Sequence, residues 1–423
     1  VKLLIVGGGG REHTLAWKLS QSPQVSQLYT APGNAGTASL SENLPIKATD
    51  IRALGDAARR LSIDLTVVGP EAPLAGGIVD HFQGLGLPIF GPTAAAAQIE
   101  ASKVFSHRLM EKYGLPCPQG EVFSDYSQAR RYVEGHPLPV VVKADGLAAG
   151  KGVTVAQTRD EAISALYQAM VEKAFGAAGE KVIIEQCLSG REVSLLAFTD
   201  GATVVPMVPA CDYKRISDGD QGPNTGGMGG YSPPNFFTPE LARQATETIL
   251  EPSVRALASE GHPYKGVLYA GLMLTDDGPR VMEFNCRFGD PETQVTLPRL
   301  KSDLVELLLA CIHGGLERVK VEWSPQACVG VVMASSGYPG EYRTGYHISG
   351  LDRVGPGALV FHAGTRLDSG QVVTDGGRVL AVTALGKDME AARETVYENL
   401  SRLHFEGCYF RRDIAATGVT ACL

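Results

Sequence analysis

The stretch Val281-Met282-Glu283-Phe284-Asn285-Cys286-Arg287-Phe288-Gly289-Asp290-Pro291-Glu292-Thr293-Gln294 decides how the rest of the chain is read. It opens on strict alternation, the period of a half-buried β-strand. Met282, Phe284, Cys286 and Phe288 are expected on one face, and Glu283, Asn285 and Arg287 on the other. Gly289-Asp290-Pro291 should end the strand, because Pro cannot continue a central ladder. A carboxylate and an amide oxygen are hard ligands suited to Mg²⁺, which takes few protein ligands and leans on substrate phosphates. A guanidinium one strand step further on could grip a transferring phosphoryl group. A solvent-facing strand with ordinary polar residues has the same pattern, and alternation alone does not separate the two.

The 423 residues exceed one ordinary core, so several domains are expected. At 44% apolar and 20% charged, the composition is globular, and the 50 glycines imply many tight loops. A net charge of −8 argues against a general nucleic-acid surface, so anionic ligands need local Lys, Arg and backbone N–H groups. The eight cysteines form no C-x-x-C pair, which favours packed, reduced thiols in a cytoplasmic protein. No 18-residue apolar run and no leader pattern is evident, so no membrane partner is expected. The chain begins with Val, so its first residue need not mark the translation start.

At the other end of the chain, Leu3–Val6 is a short apolar strand that feeds Gly7-Gly8-Gly9-Gly10 and then a helix from about Arg11 to Leu19. Strand, glycine turn and helix N-terminus make an anion site. Strands near Gln27–Thr30, Leu65–Val68 and Pro88–Phe90 also run into glycines, and helical segments separate them, so a parallel βαβ sheet is predicted. Ligands bind at the carboxyl ends of such strands. A dinucleotide is disfavoured: G-x-G-x-x-G fails in both frames, at Glu12 and at His13, and Pro32-Gly33-Asn34 stands where an acid is expected. A smaller phosphorylated ligand on the Gly7–Gly10 turn and Arg11 fits better. Asn34 and Glu71 could bond a sugar hydroxyl or amine, although Glu71 could equally be a plain helix-start residue.

Between the two ends, Ser102-Lys103 opens a helix through about Tyr113, which Gly114 ends. Val140-Val141-Val142 runs into Lys143, and a glycine-rich loop with Gly146, Gly150, Lys151 and Gly152 follows. It is not a P-loop, because Gly146 to Gly150 is one residue short and Gly152 follows Lys151. A hairpin closing over phosphates, with Lys103, Lys143 and Lys151 as charges, is expected. Lys181–Glu185 is a further strand, Gln186-Cys187-Leu188 a linker that could frame an adenine, and Glu192 lies within reach of a ribose. The polar run from Asp212 to Tyr231 is predicted to be an active-site loop. A helix over about Pro239–Glu260 follows it. Val267–Leu274 should pair with the acid strand as a hairpin.

These pieces taken together resemble the phosphoribosylamine–glycine ligase (glycinamide ribonucleotide synthetase) family of the ATP-grasp superfamily. The likeness spans nearly the whole chain and rests on Gly8–His13, Pro32–Asn34, Gly69–Glu71, Val142–Val153, Asp218–Gly229 and Glu283–Glu292. It implies an α/β and α+β multidomain protein. Residues 1–101 would form a Rossmann-like (pre-ATP-grasp) parallel-sheet domain. Residues 102–122 with 191–322 would form the ATP-grasp main lobe, 123–190 its lid, and 323–423 a small C-terminal α+β domain. It further implies that ATP activates the glycine carboxylate as an acyl phosphate, which 5-phosphoribosylamine then attacks. By position, Glu283 and Asn285 would hold Mg²⁺ (Mn²⁺ in some relatives), and Arg287 would stabilise the acyl phosphate. Lys103, Lys143 and Lys151 would hold the ATP phosphates, with Glu185, Gln186 and Leu188 at the adenine and Glu192 on the ribose. Gly8, Gly9, Gly10, Arg11, Asn34 and Glu71 would receive phosphoribosylamine. Asp212, Lys214 and Asp290 would face glycine or the joining site. A cytoplasmic monomer is expected.

Two departures stand out. Cys211-Asp212-Tyr213-Lys214 replaces an expected Gln-Asp-His-Lys, and Gln186 replaces an expected acid. Carbon-dioxide- or formate-using purine ligases and biotin carboxylase-like enzymes would share the fold, but the Gly-Arg-Glu-His and Asp-Gly-Asp-Gln-Gly-Pro-Asn-Thr-Gly-Gly pieces favour the first reading. A nucleotide sensor has no need of Glu283, Asn285 and Arg287 together. The isolated His347, His362 and His404 read as structural.

Overall fold

The computed structural model describes residues 1–147 and 152–416. Its N-terminal sheet is fully parallel, in the spatial order Glu42–Asn43, Gln27–Pro32, Lys2–Gly7, Leu65–Val68, Ile89–Phe90. Strand order reverses at the central Lys2–Gly7 strand, so a crevice opens at its carboxyl end. There the helix Gly10–Leu19 starts at once. A Cβ on Gly8 would lie 2.5 Å from the Gly33 carbonyl, so the two glycine turns touch backbone to backbone.

The main lobe carries an antiparallel sheet ordered Val204–Pro206, Arg191–Thr199, Gly266–Thr275, Gly278–Asn285. The hairpin predicted for the last two strands is present. Their register, however, shifts by one residue: Leu272 pairs with Val281, and Gly271 with Glu283. Met282 is therefore a bulge, which breaks the expected alternation. Val281 and Phe284 face the core, while Met282 joins Glu283 on the cleft side. The strand also ends at Asn285, earlier than predicted, so Arg287 stands on the bend beyond it.

Helix Lys103–Tyr113 has the predicted limits, capped by the Ser102 hydroxyl at 3.0 Å from the Phe105 N–H and closed by left-handed Gly114. The helical stretch Pro239–Ser259 holds a wide turn at Thr246–Leu250, just before Pro252, whose ring and missing N–H disturb the regular ladder. A smaller antiparallel sheet, Gly120–Phe123, Val182–Gln186, Val140–Ala144, Val153–Ala156, packs helices Tyr126–Gly135 and Arg159–Met170 around Val133, Val142, Leu166 and Ile184.

In the last part of the chain, Ala327–Ser335, Arg378–Gly386 and Ala358–His362 form a sheet under helix Met389–Leu400. The Asp212–Tyr231 run departs from its predicted loop character. Its ends, Cys211–Asp212 and Gly229–Ser232, are strands of this same sheet, and Arg215–Ser217 with Gln221–Asn224 form a hairpin. Buried Arg411 pins that hairpin through Asp220 at 2.8 Å and the Arg215 carbonyl at 3.0 Å. Such short strands carry no readable period. Gly229 and Gly230 fit because a Cβ would meet neighbouring carbonyls at 2.5 and 2.6 Å. Among the described residues, no helix is long and apolar enough to cross a membrane.

Candidate active site

A cleft of about 920 Å³ opens where the two antiparallel sheets and the N-terminal crevice meet, with residues of the C-terminal sheet on its rim. Glu283 and Asn285 reach it from the end of the acid strand. Burial pushes the Glu283 carboxyl up, but Lys214, Lys143, Lys103 and Arg287 outweigh it and hold the group below its usual range. It is thus ionised and ringed by cations. Among the described residues no cluster of three or more His, Cys, Asp or Glu ligands occurs. One carboxylate and one amide oxygen fit a Mg²⁺ that draws its other ligands from phosphates and water, and would suit Zn²⁺ poorly.

Lys143 leaves the end of its strand to donate to the Met282 carbonyl at 2.7 Å and to pair with Glu185 at 2.6 Å. The bulge is what presents that carbonyl. Lys103, at the first turn of its helix, donates to the Gly146 carbonyl at 2.9 Å. Asp145 ties the helix start to this loop by accepting from the Ser102 hydroxyl at 3.0 Å and the Val104 N–H at 3.2 Å. Burial lowers the Lys103 ammonium, and Glu283 opposes it. Gly152 lines the cleft with its neighbours, whereas Gly150 and Lys151 lie outside the described residues.

Val141, Val155, Leu147 and Met282 form an apolar wall beside Gln186, Cys187 and Leu188. Glu185 does not offer this wall a free carboxylate. It is buried between Lys143 and His107, whose Nδ1 lies 3.4 Å away. Glu192 pairs with Lys214 at 2.7 Å. Asp212 is pushed up to about 7, first by burial and then by Glu292, Glu192 and Glu283, against the pull of Lys214. Tyr213, at the departure from the family pattern, is buried and its hydroxyl accepts the Ala415 N–H at 3.0 Å.

On the N-terminal side one expectation needs correcting. Asn34 has no polar atom to spare: its amide nitrogen donates to the Gly8 and His362 carbonyls at 2.9 and 2.8 Å, and its oxygen accepts from Gly36 and Thr37. It shapes the turn rather than offering itself to a ligand. The Arg11 guanidinium lines the cleft while its Nε bonds Glu12 at 2.6 Å and its Nη1 the Phe288 carbonyl at 3.1 Å. Glu12 also takes the Gly9 N–H at 2.6 Å, so the Gly8–Gly10 turn is braced from within. Glu71 does reach the cleft, 3.4 Å from Arg287.

Arg287 is held by Glu100 at 3.0 Å and by Asn285 at 3.1 Å as well. Asp290 accepts the Arg11 N–H at 3.3 Å and lies 3.2 Å from Arg378. Glu100, Arg378 and Glu292, the last bonded by Tyr269 at 2.6 Å, were not among the residues the sequence singled out. Only Glu292 had a signal, its place in the Gly289–Glu292 turn. Glu100 and Arg378 sit in no motif.

Comparisons with known proteins bear on the family and the fold. Residues 1–100 match the phosphoribosylglycinamide synthetase N domain, 101–293 its ATP-grasp (A) domain and 328–417 its C domain. Phosphoribosylamine–glycine ligase of Escherichia coli K12 is 50% identical over 98% of each chain. The enzyme of the same name from Halalkalibacterium halodurans is 49% identical over 99% of this chain and 97% of its own. The crystal structure of the Thermotoga maritima phosphoribosylamine–glycine ligase superposes with a TM-score of 0.86 at 33% identity, covering 98% of this chain and all of that one. A biotin carboxylase domain from Hydrogenobacter thermophilus shares the fold at a TM-score of 0.73 and 16% identity, over 97% and 91% of the two chains. The chain belongs to the phosphoribosylamine–glycine ligase family of ATP-grasp enzymes.

Proposed function

We propose that the enzyme joins glycine to 5-phosphoribosylamine through a glycyl phosphate, with ATP as phosphoryl donor, giving glycinamide ribonucleotide, ADP and phosphate. The observation that carries this reading is the ionised Glu283 carboxylate surrounded by Lys103, Lys143, Lys214 and Arg287 at the head of one cleft. An anion-rich ligand with a divalent cation matches such a mixed array, and neither alone does.

Glu283 and Asn285 would hold Mg²⁺, or Mn²⁺ in its place. When bound, that ion screens phosphate charge and polarises the transferring phosphoryl group. Lys103 and Lys143 hold the phosphate chain, with Lys151 as the third cation. The wall of Val141, Val155 and Met282 takes the adenine beside Gln186 and Leu188, and Glu192 faces the ribose. Arg287, fixed by Glu100, Glu71 and Asn285, brings its charge to the acyl phosphate as it forms. Phosphoribosylamine enters over the braced Gly8–Arg11 turn beside Glu71. Asp290 and Lys214 flank the joining site. Asp212, titrating near neutrality, is suited to accept the proton the amine sheds when the amide forms.

The test is ADP release with ATP, glycine and freshly generated phosphoribosylamine, each omitted in turn. Release should need all three. Rapid ADP release without glycine would overturn the reading.

A further inference from the structure

Arg378 opens a strand of the C-terminal sheet, yet its guanidinium lies at the rim of the cleft. Nη1 alone faces four oxygens: the Asp290 carboxylate at 3.2 Å, the Asp290 carbonyl at 3.1 Å, the Gly227 carbonyl at 3.4 Å and the Gly226 carbonyl. It has two protons for them, so it acts as a hub shared between segments rather than as one ion pair. A Cβ on Gly226 would stand 3.0–3.3 Å from three guanidinium atoms, so the cation lies face-on against that glycine. On its far side the same glycine donates its N–H to the Tyr338 hydroxyl at 2.9 Å. The Tyr338 ring fits only because position 377 is Gly, where a Cβ would sit 2.2 Å from the ring. Gly227 in turn presses on Pro291, 2.4 Å from where its Cβ would be. Asp290 is thus gripped at both oxygens, by Arg378 and the Gln294 amide at Oδ1 and by the Arg11 N–H at Oδ2.

We propose that Arg378, seated by Tyr338, is a positioning residue for the ligation step: it fixes Asp290 and the Thr225–Gly227 segment at the joining end of the cleft. This rests on the proposed function, because the joining end is defined by it. The C-terminal domain then reaches the joining end of the cleft. It sets the geometry in which the amine meets the activated glycine. Asp290 is faced by two charged groups, Arg378 and Arg11, which hold its carboxyl low against burial.

The experiment is steady-state kinetics for each substrate, with thermal melting, on Arg378→Ala, Arg378→Lys and Tyr338→Phe. Removing a charge-assisted contact should lower kcat/KM for phosphoribosylamine by about ten- to a hundredfold in Arg378→Ala, while the KM for ATP stays near that of the parent. Arg378→Lys, which restores the charge, should recover most of that loss. Tyr338→Phe, which keeps the ring, should lose about fivefold. Unchanged kcat/KM in Arg378→Ala overturns the proposal. So does an equal loss for all three substrates that tracks a lower Tm and is not recovered in Arg378→Lys. If Arg378→Ala fails to fold, parental kinetics in Tyr338→Phe overturn it instead. A parent enzyme that releases ADP without glycine overturns the proposed function itself, and this inference with it.

Discussion

Glu100 holds two consecutive residues at once: its carboxylate accepts the Cys286 N–H at 2.7 Å and pairs with the Arg287 guanidinium at 3.0 Å. The bend that follows the acid strand is therefore pinned from the start of the helical segment leading to Lys103. Glu100→Ala strands the Cys286 N–H, leaves Arg287 to Glu71, Asn285 and the Phe288 carbonyl, and should cost on the order of 3 kcal/mol in urea unfolding. Turnover should fall at least about tenfold, because Arg287 loses its fixed orientation. Glu100→Gln should recover much of the stability and less of the turnover. Parental turnover in Glu100→Ala would show that Arg287 needs no such brace.

Glu283→Gln keeps an oxygen where the carboxylate was and removes the charge that balances Lys103, Lys143 and Lys214. Half-maximal activity should then need about tenfold more Mg²⁺, with little change in the KM for glycine. Titrating Mg²⁺ at fixed ATP separates the two. An effect confined to glycine would move Glu283 out of the metal site.

Asp212 stands above its unfolded value, about 7 in the fold against the ordinary carboxylate range. Between those two values the folded chain binds the extra proton, so this group's contribution to stability is present in acid and is lost as pH rises through about 7. Asp212→Asn should remove that loss. The variant should be more stable than the parent at pH 8, relative to pH 5, and turn over more slowly. Urea midpoints at the two pH values check it, and an unchanged pH dependence would place the titration elsewhere.

His13 and His362 meet where the first helix packs on the C-terminal sheet: the His362 N–H donates to His13 Nδ1 at 2.7 Å, and the rings lie 5.5 Å apart. Burial, with the neighbouring His362 charge, pushes His13 down to about 3, and burial alone pushes His362 down to about 4. Unfolded imidazoles protonate near 6.5, so stability is full above that pH and drains as pH falls from about 6.5 towards 4. His362→Gln should flatten part of this decline, read as the difference in Tm between pH 7 and 5. Identical declines in parent and variant would contradict the assignment.

Local chemistry was the part that sequence revealed well. Ser102 and Gly114 bound their helix because caps act over three or four residues, and the Lys2–Gly7 and Leu65–Val68 strands were visible as short apolar runs ending in glycine. The failures share a physical cause, which is dependence on distant partners. Met282 looks like a core residue until Gly271 and Leu272 impose the bulge. Asn34 looks free until the His362 carbonyl, 328 residues away, takes its amide. Glu100 and Arg378 gain meaning only through contacts across 187 and 88 residues.

The bulge at Met282 makes the catalytic edge sensitive to chain length rather than composition. With Met282 deleted, the ladder would close to a plain two-residue repeat, with Val281 still opposite Leu272 and Glu283 still opposite Gly271. What would be lost is the carbonyl to which Lys143 donates at 2.7 Å, and with it the tie between that lysine and the acid strand. Replacing Met282 by another apolar residue would keep the frame intact. The same strand can thus absorb changes of side chain yet be silenced by the loss of one residue that makes no charge contact of its own.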